Sequence, residues 1–500
     1  MEKLGAMDAN FLYTETDQVL NHIASIQKIR LPEGTNVDDF VANLKKLLLS
    51  RVHLVPYMTR KLRWVPGNID HPFWVKDESF SIDNHVEVIP LPAPGTHRQF
   101  EEKIAEIHGI PMDRTRPLWS LKVLTGFEDG SVAYYNQVHH ACLDGVSGQN
   151  AIVAIMDLTP EPRTEEPPAG YFDKENTTVA DMVSLSVENL FRYQLNAASR
   201  FFGGIESSTR LAQRYLNPAL PMGSFTEAAP RTRFNHNIIR ARSYAAGECS
   251  LNDIKAIGKA MDAKVNDVFM AVVAGGLRRY LERDGDLPAR GLIAGCPVSL
   301  RQPGDTRQGN QVTMMKVNLG TEIANPKVRL QAIKDSANAA KSVTADLAPG
   351  FDAEVSVPGL PAMITAAAKA AEQTQAAEYA TPAVNLVISN VPGPREQLYS
   401  LGGEMMTHYP VSIPAHGVGL NITVQSYKDK LFFAITACAK ALPDAHLLRD
   451  DMDAAFHELK SLFVQGNVAS LKPRVEDKAP AKAVEKAANA EEQVELKKIA

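Results

Sequence analysis

Cysteine is scarce in this chain: there are four, Cys142, Cys249, Cys296 and Cys438, with no CxxC pair and no paired spacing. That argues against a disulfide framework or a zinc site and fits a reducing compartment. A basic excess is missing as well. Lys plus Arg number 53 against 58 Asp plus Glu, a net charge of −5, so no positive field points to nucleic acid as a partner. No apolar run approaches the roughly 20 residues that span a bilayer. The opening Met1-Glu2-Lys3-Leu4-Gly5 also lacks the apolar stretch of a secretory signal. With 45% hydrophobic, 7% aromatic and 22% charged residues, a disordered or fibrous chain is excluded. The expectation is a cytoplasmic protein, probed by membranes from one side at most, on the inner membrane face or on lipid bodies.

Five hundred residues exceed what one core usually serves, so two domains of roughly 200 residues are expected. Residues 40–49 and 100–107 carry apolar side chains at helical spacing, whereas 81–91, 118–124 and 133–138 read as strands and 151–158 as the next helix. A charged, proline-rich break at 160–168 (PEPRTEEPP) ends this first α/β unit. One long helix is expected over 179–216, with Val183, Val187, Leu190, Phe191, Leu195, Ala198, Phe201 and Phe202 on one face and Arg192, Arg200, Arg210 and Arg214 among the polar positions. That stripe either packs on the body or meets a lipid surface. A second α/β unit follows, with a helix over 265–280, strands at 292–298 and 384–389, and a hairpin of 418–424 with 431–437. The expected organisation is therefore an N-terminal half 1–175, a helical linker 176–239, a C-terminal half 240–466 and a solvated Ala/Lys/Glu-rich tail 467–500.

The chemistry is concentrated in one stretch, His139-His140-Ala141-Cys142-Leu143-Asp144-Gly145. Adjacent side chains on a strand point to opposite faces, so the two histidines cannot easily share a metal. One should face the interior and the other an opening, which separates a positional role from a chemical one. An imidazole of near-neutral pKa can take a proton from a hydroxyl as it attacks a carbonyl. Asp144 stands where the chain turns and either caps the next helix or pairs with an arginine; Gly145 allows a tight backbone. The bland alternative is a pair of satisfied strand-end histidines beside a helix cap.

HHxxxDG is the motif of the coenzyme A-dependent acyltransferase superfamily, and further segments resemble the bacterial wax ester synthase/diacylglycerol acyltransferase family. They are Met7-Asp8-Ala9-Asn10-Phe11-Leu12, Pro117-Leu118-Trp119, Asn266-Asp267, Pro297-Val298-Ser299-Leu300-Arg301, Gly309-Asn310 and Ser389-Asn390-Val391-Pro392-Gly393-Pro394. The resemblance runs through nearly the whole chain except the tail.

It implies two similar chloramphenicol-acetyltransferase-like α/β halves around a central substrate channel. It implies His140 as general base, with His139 and Asp144 positional, and an alcohol that attacks the acyl-CoA thioester directly. No bound cofactor is expected; acyl-CoA is a substrate, and diacylglycerol or a fatty alcohol is the acceptor. Cys142, inside the motif, is not expected to carry an acyl group. Asn266 is a candidate oxyanion donor, or else it or Asp267 caps the helix that starts there. Arg301 either pairs with Asp144 or is a solvated arginine. Pro117, Leu118, Trp119 and Asn310 are candidate substrate contacts, although Trp119 equally suits a core. His416 reads as a loop histidine. Two other functions share the motif or the fold: a condensation-type acyltransferase fed by a carrier protein, and a non-catalytic protein coating lipid bodies.

Overall fold

The segment Val132–His139 (VAYYNQVH) is buried at all eight positions, as expected of a strand covered on both faces. In the computed structural model it lies inside a seven-stranded sheet. The residues described are 1–142, 152, 155–217, 219–299, 312–347 and 357–465. The sheet runs in the order Tyr399–Ser400, Gly403–Met405, His22–Arg30, Val132–His139, Trp119–Thr125, Val86–Pro90, and Tyr409–Val411 also pairs with His22–Arg30. A second sheet of six strands runs Val312–Asn318, Ile293–Ser299, Leu386–Val391, Leu420–Tyr427, Lys430–Cys438, Arg242–Ser250. The α/β architecture with two sheet-centred units follows the expectation, and the hairpin falls on Leu420–Tyr427 with Lys430–Cys438.

Helices form where caps and apolar spacing coincide. Asn36 accepts from the Asp38 and Asp39 amides at the start of Val37–Arg51, whose Phe40, Leu44, Leu47 and Leu48 are buried. Thr96 and Gln99 make a reciprocal box at the start of His97–His108. The helix Val265–Arg283 is buried almost all round over its middle turns and crosses Ala445–Lys460 closely. Gly276 permits that crossing, since a Cβ there would lie 2.4 Å from Met452 Cγ and 2.9 Å from its backbone.

Two features depart from the expected organisation. The C-terminal half does not stay on its own side of residue 240: Tyr399–Ser400, Gly403–Met405 and Tyr409–Val411 extend the first sheet. The halves also meet through Glu101, which accepts from the Ala246 amide at 2.9 Å and from Arg449 at 2.7 Å. The long linker helix is two helices, Val179–Leu195 and Ala197–Leu216, broken at Asn196. Their inward contacts are few: Met182 and Ser186 are buried in the first, Ser207 and Arg214 in the second. The apolar stripe instead faces outward, with Phe191 64%, Phe201 66% and Phe202 66% exposed. The tail 467–500 lies outside the described residues, as do 151, 153 and 154 of the expected helix 151–158, while Asp157 in that segment makes an isolated bridge instead.

Beside the crossing strands, Asp157 forms an isolated bridge with Tyr399 and ties down a fully buried arginine. Arg51 Nη2 donates to both Asp157 oxygens at 3.0 Å and to the Arg163 carbonyl at 2.9 Å. Removing the carboxylate strands a buried cation, so Asp157→Ala is expected to lower stability by about 3–5 kcal/mol. Urea unfolding at neutral pH measures this directly; a loss below about 1 kcal/mol would mean that Arg51 finds another partner.

Candidate active site

The strand Val132–His139 carries the first motif histidine, and the second opens the turn that follows rather than ending the strand as expected. His139, the last strand residue, is completely buried; His140, the first residue of a short 3-10 turn over His140–Cys142, is half-buried. The two imidazoles therefore have different surroundings: His139 is enclosed, whereas His140 keeps part of its surface exposed.

The His139 ring is fixed at both nitrogens. The Ala141 amide donates to Nδ1 at 3.1 Å, so Nδ1 is an acceptor, and Nε2–H donates to the Glu15 carboxylate at 3.0 Å. Burial alone would raise the Glu15 pKa, but the His139 bond, Arg114 and the Asn21 amide outweigh it and hold the carboxyl below its ordinary value.

His140 lies face to face with Phe11, ring centroids 3.8 Å apart at 19°. Its backbone amide donates to the Asn21 carbonyl at 2.8 Å. Loss of solvent pushes the imidazole pKa down to about 4, against an upward pull from its own carbonyl and with a further downward push from His139. A ring so shifted is uncharged at neutral pH. Phe11 belongs to the helix Ala6–Tyr13, which packs on the His140 turn and on the helix Leu360–Gln373.

The other expected site residues divide into three groups. Asp144, Gly145, Arg301 and Asn310 lie outside the described residues, and with them the proposed pairing of Asp144 with Arg301. Pro117, Leu118 and Trp119 are buried behind the histidine strand. The Leu118 carbonyl accepts from the His139 amide at 3.0 Å, and Trp119 donates its indole N–H to the Met58 carbonyl at 2.8 Å while stacking on His85. The tryptophan's polar handle is thus used inside the core, which makes it a wall of the strand's support rather than an exposed contact. Asn266 is exposed and does not cap its helix; Asp267 does, accepting from the Lys264 amide at 2.9 Å. Asn266 Oδ1 accepts instead from Asn390 Nδ2, which joins the ND segment to the SNVPGP segment. Gly393 in that segment is held to glycine by close approach, because a Cβ would lie 1.9 Å from the Ser426 carbonyl oxygen.

Cys142 is buried, and its thiol pKa is pushed well up by that burial and by Asp8, so it is no thiolate nucleophile. His416 is tied to Glu372 at 3.0 Å and is a structural contact of the helix Leu360–Gln373. A cavity of about 660 Å³ opens at the seam of the halves, lined among others by Gln18, Arg98, Glu101, Arg240, Arg242 and Tyr244. Neither motif histidine lines it.

Residues 4–269 match the wax ester synthase/diacylglycerol acyltransferase catalytic domain, and residues 308–460 match the C-terminal domain of the same family. The chain belongs to this family. A wax ester synthase/diacylglycerol acyltransferase from Marinobacter aquaeolei has a similar structure, with a TM-score of 0.65 at 26% identity, covering 92% of this chain and 99% of that one. A Mycobacterium tuberculosis protein named as a diacylglycerol O-acyltransferase is 32% identical over 463 residues, 92% of this chain and 90% of that one. The first condensation domain of the CDA synthetase, at 13% identity and a TM-score of 0.54, shares the fold.

Reading the sequence missed Glu15, Asn21 and the role of Phe11. The family opening at residues 7–12 drew attention to the right helix, yet nothing local ties Glu15 to a histidine 124 positions away.

The site's chemistry can be checked by pH and substitution. His140→Ala should lower turnover about 10²–10⁴-fold, the usual worth of a positioned base. For the intact protein, kcat/KM should rise with pH through about 4 and stay flat above, because the base works only when unprotonated. A limb centred near the ordinary histidine value of about 6.5 would show that the ring is solvated. Cys142→Ala should keep near-normal activity, and mass spectrometry with acyl-CoA alone should find no acyl adduct; a trapped acyl-Cys142 would overturn direct attack.

Proposed function

We propose that this family member transfers a fatty acyl group from acyl-CoA to the hydroxyl of a water-insoluble alcohol, with His140 as the base. The observation that supports this reading is the position of the His140 imidazole just past the end of the central strand, stacked on Phe11 and partly exposed. The acceptor hydroxyl gives its proton to His140 as its oxygen attacks the thioester carbonyl. A carbon–oxygen bond forms, and the tetrahedral intermediate collapses with loss of the carbon–sulfur bond. The imidazolium then returns the proton to the departing coenzyme A thiolate. Asn390 takes up Asn266 Oδ1, which leaves the Asn266 Nδ2 hydrogens as donors suited to an oxyanion.

Diacylglycerol is the acceptor we favour, on the names of the mycobacterial relatives. Labelled acyl-CoA offered with diacylglycerol and, separately, with a long-chain alcohol tests this: more triacylglycerol than wax ester supports it, and the reverse order overturns it. Product from neither would favour the non-catalytic lipid-coating reading.

Such an acceptor must be collected at a lipid surface, and no helix among the described residues is long and apolar enough to cross a membrane. The outward face of Val179–Leu195 and Ala197–Leu216 offers Val187, Phe191, Leu195, Phe201, Phe202 and Leu216. Two of its arginines are engaged, Arg192 with Glu188 and Arg210 with Glu206, and Arg214 is turned inward to Asp346. Attachment should therefore come from apolar burial, about 1.5–3 kcal/mol per large side chain, more than from anionic headgroups. The protein is expected to co-sediment with diacylglycerol-containing vesicles and to remain bound at high salt. The double variant Phe201→Glu with Phe202→Glu should lose binding while keeping its melting temperature; earlier melting would place those rings in a core instead.

A further inference from the structure

The contacts that hold His140 converge on two residues outside the motif. One oxygen of Glu15, Oε2, accepts from His139 Nε2 and from the Asn21 amide, both at 3.0 Å. Asn21 passes this on in two directions: its carbonyl accepts the His140 amide at 2.8 Å, and its Nδ2 donates to the Phe11 carbonyl at 2.7 Å. Phe11 is the ring stacked on His140. His139 in turn accepts the Ala141 amide, so the backbone is anchored on both sides of His140.

This arrangement works for one tautomer of His139 alone. The Ala141 N–H pointing at Nδ1 requires a lone pair there, which puts the proton on Nε2. A buried Nε2–H in turn requires an acceptor, and Glu15 supplies it. Displace that oxygen and the proton can move to Nδ1, where it opposes the Ala141 N–H. The turn that aims His140 then loses its anchor, and the Asn21 tether to Phe11 loses its reference at the same time.

We propose that Glu15 is a positioning residue for acyl transfer, acting through His139 and Asn21 to hold the His140 ring in line, without touching substrate. The proposal rests on the reading of His140 as base. What matters is where the oxygen stands, more than its charge, because both donors meet the same atom.

Two conservative variants of the full chain separate position from charge. Glu15→Gln keeps the side-chain length, so a single amide oxygen can still accept from both donors although the charge is gone. Glu15→Asp keeps the charge but withdraws the oxygen by one methylene. Glu15→Asp is expected to lower kcat about 10²-fold, the scale of a misplacement near 1 Å, with KM for acyl-CoA nearly unchanged. Glu15→Gln should stay within about tenfold of the parent, since one acceptor bond is exchanged for another of similar geometry. Nitrogen NMR shifts of the labelled imidazole should report an Nε2–H His139 in the parent and in Glu15→Gln, and a mixture of tautomers in Glu15→Asp. Parent-like kcat in Glu15→Asp beside an inactive His140→Ala would overturn the positioning role alone. So would an inactive Glu15→Gln that keeps the Nε2–H signature, because charge would then be the operative property. An active His140→Ala would overturn the base reading and the proposal with it.

Discussion

The strand His22–Arg30 cannot be left as an edge. Its hydrogen-bonding groups on one side are met by Val132–His139; those on the other side are met by Gly403–Met405 and Tyr409–Val411. An uncovered edge there would leave unpaired backbone groups beside the first hydrophobic core, an arrangement that proteins avoid. Closing it with strands from the other half fixes the two sheets to each other. The first core accordingly takes in Tyr244, Tyr427 and Phe432 from strands of the second sheet. The site inherits this rigidity, because His22 stands directly opposite His139 in the closed sheet.

The interior around the motif is kept uncharged where it can be. Burial pushes the pKa of His22 and His140 down to about 4 and that of His108 well below the ordinary histidine value. His108 is satisfied as a neutral ring: Nε2–H donates to the Ser412 carbonyl and Nδ1 accepts from the Tyr135 hydroxyl. His22 Nε2–H likewise donates to the His108 carbonyl. Glu15 brings a negative charge into this region, met by Arg114 and by the His139 Nε2–H. The adjoining residue, Thr16, donates to Glu372, which also pairs with His416, so the loop that orients the motif is hooked to the helix Leu360–Gln373 of the other half.

What could be read from the chain alone had short range. The strand at 133–138 was legible because extended, β-prone residues declare themselves locally; the doubled histidine was legible as its end, although His140 proves to start the turn that follows. The hairpin around 428–429 was legible for the same reason. The crossing strands were not: Tyr399–Ser400 and Gly403–Met405 have two and three residues, too few to show a period. The helical stripe at 183–202 was visible as a stripe, but periodicity does not say which side faces the body. The structure puts Met182, Ser186, Ser207 and Arg214 on the inward side, anchored by Met182 in the cluster with Val65 and Phe73 and by Arg214 on Asp346. Asn266 and Asp267 were equal candidates for the cap on sequence alone, and only the structure shows that Asp267 has the geometry to reach back. Glu15 was unreadable because its partner is set by tertiary closure alone.

The crossing strands also set an order of events during synthesis. Chains emerge from the N-terminus and domains ordinarily fold as they appear. Here the sheet that carries His139 waits for Tyr409–Val411, by which time most of the 500 residues have been made. Until then the first half displays one bare strand edge to everything around it. A stalled or truncated chain that stops before residue 399 would therefore be more than inactive: it would be a sticky fragment, open to pairing with its own copies.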